Sequence, residues 1–261
     1  MYFCLTTIIK NEHKFLDEWI QYHINLGINK IFIFEDINSK SHKDVCDKYD
    51  NVELNSVKIF YEGDIQYISQ ITTFKKILKF IDYQYIYDWC FYLDIDEFIT
   101  FENNDDSLEK IFTLYNDYDF VQLQWMNYNA NNHIYSLDNV IDSYTEKCGF
   151  LQDSIKNHSR NKLAIHIKNY NNIMNNVFNH HQAKYNYCKT DFDKNKDTLC
   201  YKKIYIRHYI TKSFEDWIYK IYIRGQFYNS KKFNDFFILN PNMNKNELLK
   251  LVPKILKKYK Q

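Results

Sequence analysis

Asp94 and Asp96 stand two residues apart in the stretch Cys90-Phe-Tyr-Leu-Asp-Ile-Asp-Glu-Phe-Ile99, which is otherwise as apolar as a buried strand. In an extended chain, residues two apart share a face, so both carboxylates project together while Ile95 turns into the core. Two like charges held that close are unfavourable unless a cation or protons neutralise them. Hard carboxylate oxygens suit Mn2+ or Mg2+, ions that complete their shells with water and substrate phosphate oxygens. The pair therefore predicts a metal site for a diphosphate, against the plainer alternative of exposed salt bridges at a strand end. Glu97, next in line, is placed to bind an acceptor, anchor the loop or take part in the chemistry.

The elements that must position these carboxylates alternate along the first part of the chain. Tyr2 to Ile9 reads as a buried strand. Phe15 to Leu26 carries apolar residues at helical spacing and ends at Gly27, where a left-handed cap is wanted. A strand from Lys30 ends at Asp36. A helix (Lys43 to Tyr49), a strand (Val52 to Tyr61), a helix (Gln66 to Ile81) and a strand (Trp89 to Leu93) follow. Such alternation predicts an α/β fold whose largely parallel sheet has helices on both faces and gathers ligands outside its carboxyl strand ends. Thr7, Asn11, Glu12 and Asp36 lie at the first two of those ends, placed to hold a nucleoside, although Asn11 and Glu12 also suit helix capping.

Beyond residue 100 the pattern loosens. Phe120 to Trp125, Lys162 to Lys168 and Lys203 to His208 read as strands, Asn169 to Asn179 as a loop. Ser213 to Arg224 reads as a helix with Ser213 as its N-cap and Gly225 at its end. The tail from Glu247 to Tyr259 pairs leucines with lysines around Pro253. It suits a C-terminal helix docked on the domain, or one making weak contact with an anionic membrane surface.

Composition sets the class. In 261 residues, 45% are hydrophobic and 18% aromatic, which predicts a packed globular chain of one large domain. The formal charge of +1 gives no global field toward nucleic acid, so no nucleic-acid partner is expected. Six dispersed cysteines contain no C-x-x-C pair and read as core or surface thiols. Neither a secretory signal nor a membrane-length apolar run stands out, and the expectation is a soluble cytoplasmic protein.

The acidic stretch resembles the Asp-x-Asp-Glu-Phe element of GT-A-fold glycosyltransferases close to family 2 and family 92. Lys10-Asn-Glu12 followed by Glu18-Trp-Ile-Gln-Tyr-His-Ile-Asn-Leu-Gly27 is similar to that group's opening, and Ile33-Phe-Glu-Asp-Ile-Asn-Ser39 to its second-strand end. His208-Tyr-Ile-Thr-Lys-Ser213, Lys220 and Arg224-Gly225 resemble its later block, so the likeness spans residues 2 to 228. Gln124-Trp-Met-Asn-Tyr-Asn129 keeps a Trp but lacks the Phe-Gly that usually follows.

The resemblance implies a GT-A domain over 1–228, with 1–100 as the nucleotide-binding half and 101–228 as the half that completes the metal and acceptor sites. Residues 229–261 form a C-terminal helical extension. It implies transfer of a sugar from a nucleotide-sugar donor, UDP-linked, to a glycan or glycoconjugate acceptor with inversion. The ion at Asp94 and Asp96, Mn2+ or Mg2+, stabilises charge on the departing diphosphate. His208 and His181 are the candidates for a third metal ligand, ahead of His180. Gln70, Lys212 and Arg224 join the donor-binding residues, and Lys220 is a further cation beside them. Glu97, Glu146 and Asp153 are candidates for the general base, among which the sequence does not choose. A nucleotidyltransferase, or a non-catalytic nucleotide- or glycan-binding module, is the competing reading.

Overall fold

The elements run β1 (Phe3–Ile9), α1 (His13–Leu26), β2 (Lys30–Asp36), α2 (Lys43–Cys46), β3 (Val52–Val57), a helix at 75–81 (α3), β4 (Trp89–Tyr92), β5 (Glu97–Phe101) and α4 (Leu108–Thr113). There follow β6 (Phe120–Tyr128), β7 (Lys147–Gly149), β8 (Asn161–His166), β9 (Val177–Asn179), β10 (Gln182–Ala183) and β11 (Ile204–His208). Three helices end the chain: α5 (Phe214–Ile218), α6 (Ser230–Leu239) and α7 (Lys245–Tyr259). This computed structural model describes residues 1–58, 75–81, 86–149, 161–167, 177–179, 182–183, 203–224 and 230–259. The chain forms two compact units, Met1–Trp125 with Gln152–Arg207, and Met126–Leu151 with His208–Gln261.

The first unit is built on a mixed sheet of order β3-β2-β1-β4-β8-β6-β11-β5. β1 pairs in parallel with β2 and β4, and β2 with β3. The α/β architecture expected from the alternating elements is therefore present. Beyond β4 the sheet turns antiparallel, with β8 pairing to β4 and to β6. β1 is buried along nearly its whole length, as a strand between two parallel neighbours must be.

Side-chain alternation divides the covering helices between the two faces. Cys4, Phe32, Cys90 and Tyr92 pack with Ile77, Leu78 and Ile81 of α3. Phe3, Trp89 and Phe91 point the other way and meet Phe112 of α4. Cys4, Cys46, Cys90 and Cys148 are free thiols, and burial pushes the Cys4 thiol well up from its ordinary range.

α1 forms because Phe15, Leu16, Trp19, Ile20 and His23 recur on one face, and all five are buried. Gly27 ends it at φ 108°, donating to Ile24 O at 3.0 Å, which is the cap that the sequence predicts. Glu12 occupies the N-cap position without a side-chain hydrogen bond to the helix. No helix among the described residues is long and apolar enough to cross a membrane.

In the second unit β7 pairs with the end of β6, Tyr128 opposite Lys147. Ser213 caps α5 as expected, its Oγ accepting from Asp216 N at 3.0 Å while Ser213 N donates back to Asp216 Oδ2 at 3.2 Å. The α-helix predicted to Arg224 stops at Ile218, and Tyr219–Ile223 continue as a π-helical turn closed by Arg224 N on Tyr219 O. α7 is docked within this unit: Leu248 and Ile255 are buried among Phe214, Trp217, Ile218 and Phe236.

Candidate functional site

β4 ends at Tyr92, so the acidic residues do not lie in an extended strand as their spacing suggested. Asp94 to Asp96 form a tight turn, closed by Glu97 N donating to Asp94 O at 3.1 Å. Within this turn the two aspartates differ in exposure. Asp94 keeps 47% of its side chain open to solvent, whereas Asp96 is buried. Ile95 is buried, as predicted.

Lys162, on β8, faces this turn from beneath. Its Nζ lies 2.8 Å from Asp94 Oδ2 and 3.2 Å from Glu97 Oε2, and also sits 5.2 Å from the centre of the Tyr92 ring. The side chains of Lys162 and Glu97 are both fully buried. Glu97 Oε2 also accepts from Asp94 N at 2.9 Å, while its Oε1 has no hydrogen-bond partner among the described residues. Burial raises the Glu97 carboxyl well above its usual range, an effect that the Lys162 ammonium opposes. Burial works against the Lys162 ammonium too, but Asp94 and Glu97 outweigh it and hold the pKa above the ordinary lysine value.

Helix α1 supports the far side of the turn. Trp19 Nε1 donates to Glu97 O at 2.8 Å, Tyr22 Oη donates to Ile99 O at 2.5 Å, and Ile99 N donates to His23 Nε2 at 3.4 Å. His23 Nδ1 donates to Trp19 O, and complete burial drops the ring's pKa to about 3, so it is neutral. Trp19 and His23, which the sequence marked as positions on the apolar face of α1 and as part of the resemblance, are thus structural supports of the acidic segment.

The first two strand ends are tied to each other. Asn11 adopts φ 52° and accepts at Oδ1 from Ser39 Oγ and Lys40 N, while its own N donates to Ser39 Oγ at 2.9 Å. Glu12 N donates to His42 Nε2 at 3.0 Å, and His42 Nδ1 donates to Glu35 Oε2 at 3.0 Å. Neither Asn11 nor Glu12 caps α1 through its side chain; their loop is clamped to the loop after β2. Asp36 is buried, its Oδ1 accepting from Asn38 N at 2.8 Å, and its Oδ2 has no partner among the described residues. Thr7 Oγ1 is likewise buried without a partner there. An unmet buried acceptor is costly, and a bound ligand would relieve it.

The second unit holds His208, Lys212 and Arg224, all buried, with Lys212 at φ 47°. His208 Nδ1 lies 2.9 Å from Asn127 Oδ1. An amide oxygen only accepts, so Nδ1 carries a proton, and in the neutral ring the lone pair is then on Nε2. Asn127 went unnoticed in the sequence, where one Asn among many carries no signal. Lys220 Nζ donates to Ile210 O at 3.3 Å. Glu146 is exposed and accepts from Asn129 Nδ2 at 3.0 Å. Gln70, Asp153, His180 and His181 lie outside the described residues.

Among the described residues no three His, Cys, Asp or Glu side chains converge as a metal-ligand group. Mg2+ and Mn2+ sites built on one or two carboxylates and completed by substrate phosphates need no such cage. A half-open Asp94 beside Asp96 fits that kind of site.

A model of glycosyltransferase family 92 matches residues 1–249. A glycosyltransferase family 92 protein of Oryza sativa subsp. japonica is 27% identical over 101 residues, covering 39% of this chain and 16% of that protein. The chain thus spans well under two thirds of that relative's length. Among solved structures, HddC from Yersinia pseudotuberculosis aligns with a TM-score of 0.36 at 12% identity, over 76% of this chain and 88% of HddC. A 4-diphosphocytidyl-2C-methyl-D-erythritol synthase from Anaerococcus prevotii aligns with a TM-score of 0.33 at 12% identity, over 68% and 77% of the two chains.

Proposed function

The chain belongs to glycosyltransferase family 92, and from that premise we propose that it transfers a sugar from a UDP-linked or similar nucleotide sugar to a hydroxyl of a glycan or glycoconjugate acceptor. The single observation that carries this reading is the Asp94–Asp96 turn at the end of a parallel strand, with Asp94 held at one oxygen by Lys162 and half open to solvent. Ligands of α/β sheets collect at such strand ends.

In this reading Asp94 and Asp96 hold Mn2+ or Mg2+, which supplies Lewis-acid stabilisation of the charge on the leaving diphosphate. Asp36 and Thr7 receive the nucleoside, their unmet oxygens Asp36 Oδ2 and Thr7 Oγ1 being matched by its donor groups. Asn11 and Glu12 shape that end through the clamp to Ser39 and His42. Glu97 anchors the turn from below, a role that full burial favours over proton abstraction from an acceptor.

Incubation with a panel of nucleotide sugars and Mn2+, with and without simple sugar acceptors, tests the reading. Release of nucleoside diphosphate from one donor is the expected result. Release of pyrophosphate would point to nucleotidyl transfer, and no turnover with any donor would favour a binding module.

A further inference from the structure

A buried ammonium in a strand is expensive unless opposed charges hold it, and Lys162 has two such partners on one turn. Their contacts close a ring. Asp94 N donates to Glu97 Oε2, Glu97 Oε2 faces Lys162 Nζ, and Lys162 Nζ donates to Asp94 Oδ2. Backbone and side chain of Asp94 are thereby fixed together, through two partners that are themselves fully buried. The ring uses Oδ2 and leaves the half-exposed carboxylate aimed from a preset rotamer.

We propose that Lys162 is a positioning residue for the cation site: its ammonium sets the orientation of the Asp94 carboxylate before a divalent ion arrives. The inference rests on the metal reading given above and adds a residue from a distant strand to it. Outer partners that orient a metal ligand raise affinity by removing the cost of ordering it at the moment of binding. Lys162 does this with a cation in place of the usual neutral donor. Its attraction for Asp94 Oδ2 and that of the incoming ion are directed at one carboxylate, so the ammonium must lie beneath the turn and the ion outside it. Lys162 is fully buried, its ammonium 5.2 Å and 6.0 Å from the Tyr92 and Trp125 ring centres, while Asp94 is half open, which suits that division.

The experiment compares Mn2+ binding, followed by water-proton relaxation in the presence of UDP, for the full chain and three variants. Asp94→Asn removes the ligand. Lys162→Met alone leaves Glu97 buried without its cation and is at risk of unfolding. Glu97→Gln/Lys162→Met removes both buried charges, and replacing a buried pair by neutral groups is often tolerated. The glutamine side chain of Glu97→Gln still offers an amide oxygen to Asp94 N, so this double variant isolates the loss of the Lys162–Asp94 contact.

The expected result is a folded double variant, shown by its melting temperature, whose Mn2+ affinity is about tenfold or more weaker, the usual cost of losing an outer orienting partner. Wild-type or tighter Mn2+ affinity in the double variant, with binding lost in Asp94→Asn, would overturn the role of Lys162 and leave the metal reading standing. Unchanged binding in Asp94→Asn would overturn the metal reading itself, and the role of Lys162 with it.

Discussion

Trp19 Nε1 donates to the carbonyl oxygen of Glu97 at 2.8 Å, with both residues fully buried. The bond joins the middle of α1 to the first residue of β5, one position past Asp96. Trp19→Phe keeps an aromatic ring, though a smaller one, and deletes the donor, leaving the Glu97 carbonyl unmet in the core. The expected loss of stability is about 1–3 kcal/mol, the cost of an unsatisfied buried acceptor. Urea denaturation of the pure variant reads it, and an unchanged midpoint would mean that α1 does not support the turn.

Asp94→Asn and Asp96→Asn test the two aspartates one at a time. Under the proposed function both lower Mn2+-dependent donor turnover by at least about a hundredfold, the upper end of what even an outer partner of a metal costs. Both should also melt below wild type, Asp94→Asn because it takes one of two counter-charges from the fully buried Lys162 and Asp96→Asn because its side chain is buried. Chelation by EDTA should abolish turnover of the wild type, with recovery on adding Mn2+. Retained turnover under EDTA would count against the cation.

Much of this was legible from the order of strand and helix signals. The alternating elements to Tyr92 announce the parallel part of the sheet, Gly27 announces the end of α1, and Ser213 announces the start of α5. What escaped depends on non-local pairing. Lys162 lies near the start of a strand whose register against β4 places Ala164 opposite Phe91, far apart in sequence. Its signal was present only as one cation in the apolar run Lys162-Leu-Ala-Ile-His-Ile167, which must find a counter-charge if buried. The turn at Asp94–Asp96 was hidden because Leu93-Asp-Ile-Asp-Glu-Phe98 alternates as a strand would. β5 lies four places from β4 in the sheet order although only a short link separates them in sequence. Four strand spacings are roughly 19 Å, about the full reach of that link, so this stretch of sheet is curled rather than flat. No local pattern encodes that. α4 was missed despite its signal, since Ser107 accepts from Lys110 N at 3.2 Å as an ordinary N-cap.

His23 gives the fold a pH dependence of known sign. Its folded pKa is about 3 because burial excludes the charged ring, whereas the unfolded ring titrates near the ordinary value of about 6.5. Between these values the unfolded chain binds the extra proton. The stability contributed is therefore fully present above the unfolded pKa and is lost as pH falls toward the folded one. The expected slope is about 1.4 kcal/mol per pH unit below about pH 6. Denaturation curves at about pH 7.5 and 5.5, on either side of the unfolded value, read it against His23→Gln, whose slope should be smaller by one proton. Equal slopes would show that His23 is not held neutral.

Asn127 and His208 supply the last test, and it stays within the second unit. Asn127 Oδ1 accepts from Nδ1–H of a buried ring and so selects the tautomer that carries its lone pair on Nε2. Asn127→Leu keeps the branched heavy-atom shape and removes the acceptor. The Nδ1-protonated form should lose its dominance in the imidazole 15N spectrum, and stability should fall by about 1–3 kcal/mol as the ring's donor loses its partner. Asn127→Asp keeps an oxygen at that position and should restore the Nδ1-protonated signal. A spectrum that is the same in wild type and Asn127→Leu would mean that Asn127 does not govern the ring, and that some other neighbour of His208 sets where its proton lies.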